Sequence, residues 1–99
     1  MQSKSYYVYI LSNQNRTCLY LGVTSDLSQR LWIHQQGIVK SSFCARYQVN
    51  QLIYYEFYTD PVQAIKREKE IKAWRREKKE ALIETLNPYW REIELDHLF

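Results

Sequence analysis

The sequence predicts an α/β (α+β) fold, and three observations support this. Two segments rich in aromatic and β-branched residues, 6–11 and 18–23, flank a polar turn and predict an antiparallel hairpin. A third segment of the same character, 52–58, predicts another strand. The segments between and after these strands open with residues that cap helices, and the chain holds only two glycines and two prolines.

The first helix is predicted directly after the hairpin. Asp26 is placed to cap its N-terminus, with Gln29 at the fourth position of a capping box. Gly37 lies where a glycine commonly follows the last turn of a helix. Residues 38–50 are mixed and polar, which predicts a loop with room for a short helical turn.

Two helical segments are predicted after the third strand. Asp60–Pro61 combines an N-cap acid with a proline at the first helical position, so a helix begins there and runs to about Trp74. A further helical segment reaches Leu86. Asn87–Pro88 ends it, because asparagine tolerates a left-handed cap and proline cannot continue a helix.

Length and composition exclude several classes of protein. A chain of 99 residues has the size of one domain, so we expect a single domain over 1–99. Cys18 and Cys44 are isolated, which argues against a zinc site or a disulfide framework and fits a reducing compartment. No secretory leader or membrane span is recognisable, and we expect a soluble, cytoplasmic protein with no membrane partner.

Positive charge is concentrated in residues 66–79, where eight Lys and Arg face three Glu for a local charge of +5. A basic helix in a nearly balanced chain predicts a surface that faces a polyanion such as nucleic acid. The alternative is a solvated helix with Glu–Lys pairs. The candidate nucleic-acid-binding residues are Lys66, Arg67, Lys69, Lys72, Arg75 and Arg76.

Glu68 lies within this basic segment at an unusual position. A helical wheel predicts an inward arc of three apolar residues: Ala64, Ile65 and Ile71. Glu68 falls between the first two of these, and burying its carboxylate is costly unless a partner neutralises it. A divalent cation would do so with hard oxygen ligands. The alternative is a salt bridge to Lys72 or Arg75.

Other candidates for chemistry lie on the hairpin and the first helix. Arg30 and His34 are four residues apart and share a helix face, so a phosphate-binding guanidinium would lie near a group that moves protons. Tyr9 and Tyr20 are central in adjacent strands, although a phenol titrates near 10 unaided and a catalytic role requires nearby positive charge. Each of these four residues also has a purely structural explanation, either exposure at the surface or packing in the core. Asn87 likewise has one as a helix terminator.

Five segments in one order resemble the GIY-YIG nuclease domain. They are Tyr7–Tyr9, Tyr20–Gly22 after ten intervening residues, Gly22–Arg30 with His34, Ala64–Trp74 around Glu68, and Asn87–Pro88 with Trp90. The chain is similar to the short stand-alone members of that family. The resemblance implies a small three-stranded antiparallel sheet flanked by helices. It also implies a metal-dependent endonuclease that hydrolyses phosphodiester bonds in DNA, more than in RNA, with structure-guided or weak selectivity, in repair or recombination.

The resemblance also implies roles for individual residues. Glu68 would hold a single Mg²⁺ or Mn²⁺, and Arg30 would neutralise charge on the transferred phosphoryl group. Tyr9 would act as general base and His34 would relay the proton, or the two would exchange roles. Tyr20 would orient a phosphate oxygen, and Asn87 would support the substrate.

Three hypotheses for the whole chain remain open. The first is the nuclease, with a protein partner that supplies specificity because the chain carries no appended DNA-binding domain. The second is a catalytically inactive nucleic-acid-binding or protein-interaction module on the same fold. The third is a structural helper whose basic helix docks an acidic partner.

Overall fold

A computed structural model of the protein describes residues 4–36 and 46–95. The strands and longer helices of this part, in chain order, are β1 (Tyr6–Ser12), β2 (Leu19–Thr24), α1 (Leu27–Gln36), β3 (Gln51–Tyr58), α2 (Pro61–Lys72) and α3 (Arg76–Leu86). The predicted α+β class is confirmed. Gly37 and most of the predicted loop 38–50 lie outside the described residues.

The three strands form one antiparallel sheet with the order β2-β1-β3, so β1 is central. Side chains along a strand alternate between the two faces of the sheet. Val8 and Ile10 therefore point to one face of β1, and Tyr9 and Leu11 point to the other. All four are buried, as expected for a central strand that is covered on both faces.

Each face of the sheet is covered by different helices. Leu27 and Leu31 of α1 pack in one cluster with Tyr9 and Leu11. On the opposite face, Ala64 and Ile71 of α2 pack with Val8, and Ile83 of α3 packs with Ile10 in a neighbouring cluster. The fold therefore has three layers, with α1 on one side of the sheet and α2 and α3 on the other.

The predicted helix starts are confirmed by side-chain caps. The Asp26 carboxylate accepts a hydrogen bond from the Gln29 backbone N–H at 3.0 Å. The Asp60 carboxylate accepts one from the backbone N–H of Val62 at 3.1 Å, with Pro61 as the first residue of α2. These caps satisfy backbone N–H groups that the first helical turn leaves unpaired.

The end of α3 differs from its prediction in mechanism. Asn87 follows the last helical residue as expected, but its φ of −140° and ψ of 73° are not left-handed. The positive φ in this region belongs to Trp90, at 54°. The chain therefore leaves the helix extended and turns three residues later.

The inward arc predicted for α2 was wrong at one residue. Ala64 and Ile71 are fully buried, whereas Ile65 is 42% exposed. The buried side of α2 is therefore narrower than the helical wheel predicts, and it is centred on a line through Ala64 and Ile71. Every helix in the described part of the chain is too short or too polar to span a bilayer.

Ile71→Ala should destabilise the domain far more than Ile65→Ala. The first change leaves a cavity beneath β1 and should lower the free energy of unfolding by about 2–5 kcal/mol. The second removes a largely solvated side chain and should cost less than about 1 kcal/mol. Chemical denaturation of both variants beside the wild type measures this, and equal losses would contradict the packing described for α2.

Candidate active site at the edge of the sheet

Tyr9 and Tyr20 project from the sheet face that α1 covers. The register places Tyr9 opposite Gly22 and Leu11 opposite Tyr20, and residues directly opposite each other share a face. The ring centroids of the two tyrosines are 6.2 Å apart. Tyr9 is 1% exposed, whereas Tyr20 on the edge strand is half-buried. The two hydroxyls thus belong to one cluster but differ in their access to solvent.

His34, in the last turn of α1, completes this cluster. Leu31 anchors the helix one turn earlier, and His34 lies on the same side as that leucine. Its Nε2 is 3.2 Å from the Tyr9 hydroxyl oxygen, and its ring centroid is 5.1 Å from that of Tyr20. We call Tyr9, Tyr20 and His34 the aromatic triad.

Arg30 adds a positive charge beside the aromatic triad. It lies four residues before His34 on α1, and it is exposed. Burial of the imidazole, followed by the charge of Arg30, lowers the pKa of His34 below its ordinary value of 6.5. His34 is therefore neutral near pH 7, with one ring nitrogen free of a proton.

Gly22 provides the space in which the Tyr9 phenol lies. A Cβ atom at position 22 would be 2.5 Å from the Tyr9 hydroxyl oxygen and 2.6 Å from its Cζ atom. Both distances are shorter than any tolerable contact, so a side chain here would displace the phenol. The glycine thus allows Tyr9 to lie flat across the neighbouring strand and to reach His34.

Glu68 lies on α2, which covers the face of the sheet opposite to the aromatic triad. Successive helical residues are turned by about 100°, so Arg67 and Glu68 flank the buried line of α2 on opposite sides. Arg67 contacts Glu56 on β3 at 2.9 Å. Glu68 therefore lies on the side of α2 away from β3, and from the strand order we expect it to be turned toward β2, the strand that carries Tyr20 and Gly22.

The Glu68 carboxylate has one ionic partner among the described residues. Its side chain is 12% exposed, and Lys72 Nζ lies 3.4 Å from Oε2. This is the salt bridge to Lys72 that the sequence analysis gives as the alternative to a divalent cation. Because the Lys72 side chain is 67% exposed, the pair is solvated and contributes little. The carboxylate remains available for a stronger cationic partner.

The sequence-predicted site residues thus fall into two groups and one outlier. Tyr9, Tyr20, His34 and Arg30 share the α1 face, whereas Glu68 belongs to the α2 face. Among residues 4–36 and 46–95, β2 pairs only with β1, so we expect a ligand that contacts both groups to lie across the outer edge of β2.

Asn87 is the outlier. Its amide donates to the backbone carbonyls of Ile53, at 3.0 Å, and Arg91, at 2.6 Å, and it accepts from the Arg91 N–H at 3.0 Å. These bonds tie the segment after α3 to β3, on the far side of the sheet from β2. Its polar atoms are occupied by the backbone.

The predicted basic residues also divide into two sets. Arg67 is held by Glu56 and Glu70, and Arg76 is held by Glu80 while donating to the carbonyls of Arg16 and Thr17 in the β1–β2 turn. Both therefore have structural partners. The exposed cations of the set are Lys66, Lys69, Lys72 and Arg75.

Comparison with known proteins identifies the family. The model of the GIY-YIG catalytic domain matches residues 5–81, which is most of the chain. The chain belongs to the GIY-YIG family. The UPF0213 protein of Bacillus pumilus is 34% identical over 86 residues, covering 87% of this chain and 86% of that protein. The UPF0213 protein of Haloquadratum walsbyi is 37% identical over 79 residues, covering 80% of this chain and 86% of that protein.

A solved structure agrees with this membership. The solution NMR structure of the UPF0213 protein from Bacillus halodurans is similar, with a TM-score of 0.56 and 26% sequence identity over 87% of this chain and 89% of that one. The three-stranded antiparallel sheet and flanking helices expected from the resemblance are thereby confirmed. The family match includes the aromatic triad, Arg30 and Glu68, and it ends before Asn87.

Sequence reasoning on this GIY-YIG domain missed the contribution of Glu56. Its carboxylate accepts hydrogen bonds from Tyr54, at 2.5 Å, and Tyr58, at 2.7 Å, in addition to those from Arg67. The signal was present, because residues two apart on a strand share a face and all three side chains therefore point toward α2. Arg67, the helical partner, lies eleven residues further along the chain, and no local pattern in the sequence indicates the contact.

Gly22→Ala should destabilise the domain by about 1–3 kcal/mol, because the new methyl group overlaps the Tyr9 phenol. In a Tyr9→Leu background the same change should cost much less, since leucine ends short of the overlapping atoms. Thermal unfolding of the two single variants and the double variant measures this coupling. An equal cost in both backgrounds would show that the phenol does not occupy that space.

His34 should titrate below 6.5, and Arg30→Gln should raise its pKa by removing the nearby charge. Because the folded pKa is lower than the unfolded one, protonation favours the unfolded chain, and stability should fall as pH drops through 6.5 toward the folded value. NMR titration of the imidazole and unfolding curves of His34→Gln, whose stability lacks this dependence, test it. A pKa at or above 6.5 would contradict the described environment.

Proposed function

We propose that this GIY-YIG domain is an endonuclease that hydrolyses phosphodiester bonds in DNA with one divalent cation, guided by structure or with weak selectivity. The observation that supports the proposal is the cluster on the α1 face of the sheet, where Tyr9, Tyr20 and His34 lie together beside Arg30. Glu68, on the other face, would complete the site around the edge of β2. Membership of a family named for a catalytic domain implies nuclease chemistry, and such cleavage would serve DNA repair or recombination.

Glu68 fits a site for one Mg²⁺ or Mn²⁺. Among residues 4–36 and 46–95, no three His, Cys, Asp or Glu side chains lie close enough together to hold a metal ion. Mg²⁺ nevertheless retains several waters and is often held by one carboxylate plus substrate phosphates. A mostly buried carboxylate with only a solvated lysine as partner suits that arrangement. When bound, the cation supplies charge stabilisation at the phosphate oxygens.

His34 is the proton acceptor in this proposal, and Tyr9 holds it in place. Tyr9 is 1% exposed, so its hydroxyl does not reach an attacking water at the surface. In the tautomer of the neutral imidazole whose Nε2–H donates to the Tyr9 oxygen, 3.2 Å away, Nδ1 would take a proton from water. Of the two assignments open in the sequence, burial favours this one.

Arg30 and Tyr20 contact the phosphate in this arrangement. The exposed guanidinium of Arg30 would neutralise charge that develops on the phosphoryl oxygens, a contribution of about 2–4 kcal/mol for a well-placed donor. Tyr20 would orient one phosphate oxygen from the edge strand. The exposed cations Lys66, Lys69, Lys72 and Arg75 would bind the DNA backbone on either side. Asn87 has a structural part only.

Glu68→Gln and Arg30→Gln should each lower cleavage by about 30-fold to 1,000-fold, the equivalent of 2–4 kcal/mol. Nicking of supercoiled plasmid and cleavage of branched DNA, each with Mg²⁺ or Mn²⁺, measure this. Matched substitutions away from the site, Glu77→Gln and Arg91→Gln, should retain wild-type activity. Single-stranded RNA of the same sequence serves as the second substrate.

The alternative functions give different outcomes in the same assay. If the wild type and both site variants show one identical trace activity, the nuclease proposal fails. DNA binding that then weakens steeply with added salt would assign a nucleic-acid-binding module. A protein that neither cuts nor retains DNA would be a protein-interaction module.

A further inference from the structure

Glu56 on β3 and Arg67 on α2 are the centre of a cluster of hydrogen-bonded polar side chains. Arg67 Nε and a terminal guanidinium nitrogen contact the two Glu56 oxygens at 2.9 and 3.1 Å. The hydroxyls of Tyr54 and Tyr58 donate to the same two oxygens. Arg67 also pairs with Glu70 and lies over the Trp74 ring at 5.2 Å.

The Glu56 carboxylate is ionised and rigidly held. Burial opposes its ionisation, but hydrogen bonds from Arg67, Tyr54 and Tyr58 outweigh this and lower the pKa of Glu56 below 4.5. Its side chain is 15% exposed. A two-pronged guanidinium–carboxylate contact restricts orientation as well as distance, which a single lysine contact does not.

This contact defines how α2 is rotated about its own axis. Ala64 and Ile71 lie close to one line along the helix, so their burial fixes which side of α2 faces β1. Their burial resists small rotations of α2 about its axis only weakly, because the alanine side chain is short. Arg67 lies to one side of that line and is held to β3. Glu68, the next residue, is thereby held on the other side, toward β2.

We propose that Glu56 and Arg67 are positioning residues for the Glu68 carboxylate. They fix the rotation of α2, so the carboxylate meets a divalent cation at the edge of β2. The inference rests on the proposed function, because it gives Glu68 the part of metal ligand. It adds that the metal site is set from the far edge of the sheet, by residues that touch neither metal nor DNA.

Broadening of NMR signals by paramagnetic Mn²⁺ tests this proposal without DNA and without an activity assay. In the wild type, low Mn²⁺ concentrations should broaden the backbone amide signals of Glu68 together with those of Leu21 and Gly22. Glu56→Gln and Arg67→Met should require about 10-fold more Mn²⁺ or higher, as losses of groups that orient a ligand typically do. In both variants the β2 amides should no longer broaden together with Glu68.

The controls separate positioning from stability. Glu80→Gln breaks another Arg–Glu pair, at 2.8 Å on α3, and should leave Mn²⁺ broadening unchanged. Arg67→Lys keeps the charge and should recover part of the affinity, and it replaces Arg67→Met if that variant does not fold. If the variants broaden at the same Mn²⁺ concentrations as the wild type, the positioning inference alone is overturned. A wild type without broadening near Glu68 would overturn the metal site of the proposed function itself.

Discussion

The alternation of side chains along the central strand constrains where chemistry can occur in this domain. Val8 and Ile10 require cover on one face of the sheet, and Tyr9 and Leu11 require it on the other. The helix with Arg30 and His34 lies on one side of the sheet, and the helix with Glu68 lies on the other. In the proposed function their side chains act on one phosphate around the outer edge of β2.

Two glutamates show how the fold separates structural from chemical carboxylates. Glu56 and Glu68 have similar side-chain exposure, 15% and 12%. Glu56 accepts four hydrogen bonds, two of them from an arginine, whereas Glu68 has one solvated lysine at 3.4 Å. Desolvating a carboxylate is costly, so the poorly compensated one is the better candidate to recruit a cation. The two arginines differ in a similar way, because Arg67 is paired with Glu56 and Glu70 whereas Arg30 is exposed.

Local features of the fold were predictable because local chemistry determines them. The strands follow from aromatic and β-branched runs, and the helix starts follow from Asp26 and Asp60, whose caps need only the next two or three residues. The buried side of α2 was less predictable, because a helical wheel does not show how wide a stripe the sheet covers, and Ile65 lies beyond it. The functional groups of Arg67, Arg76 and Asn87 have distant structural partners that no local pattern reveals.

The motifs predict which residues form the candidate site but not how they are arranged. These residues are Tyr9, Tyr20, Arg30, His34 and Glu68, and the first four share one face of the sheet. The separation of Glu68 onto the other face follows from the packing of α2 against Val8, which is a property of the whole fold. The burial of Tyr9, which transfers the proposed proton acceptor to His34, likewise depends on α1 and Gly22 together.

A structure of the domain with a non-hydrolysable branched DNA and Mn²⁺, with the metal located by its anomalous scattering, would decide whether one phosphate spans the edge of β2. We expect Mn²⁺ bound to the Glu68 carboxylate and a single phosphate group that contacts both this metal and the Arg30 guanidinium. Metal bound elsewhere, or Arg30 and Glu68 contacting unconnected parts of the DNA, would contradict it.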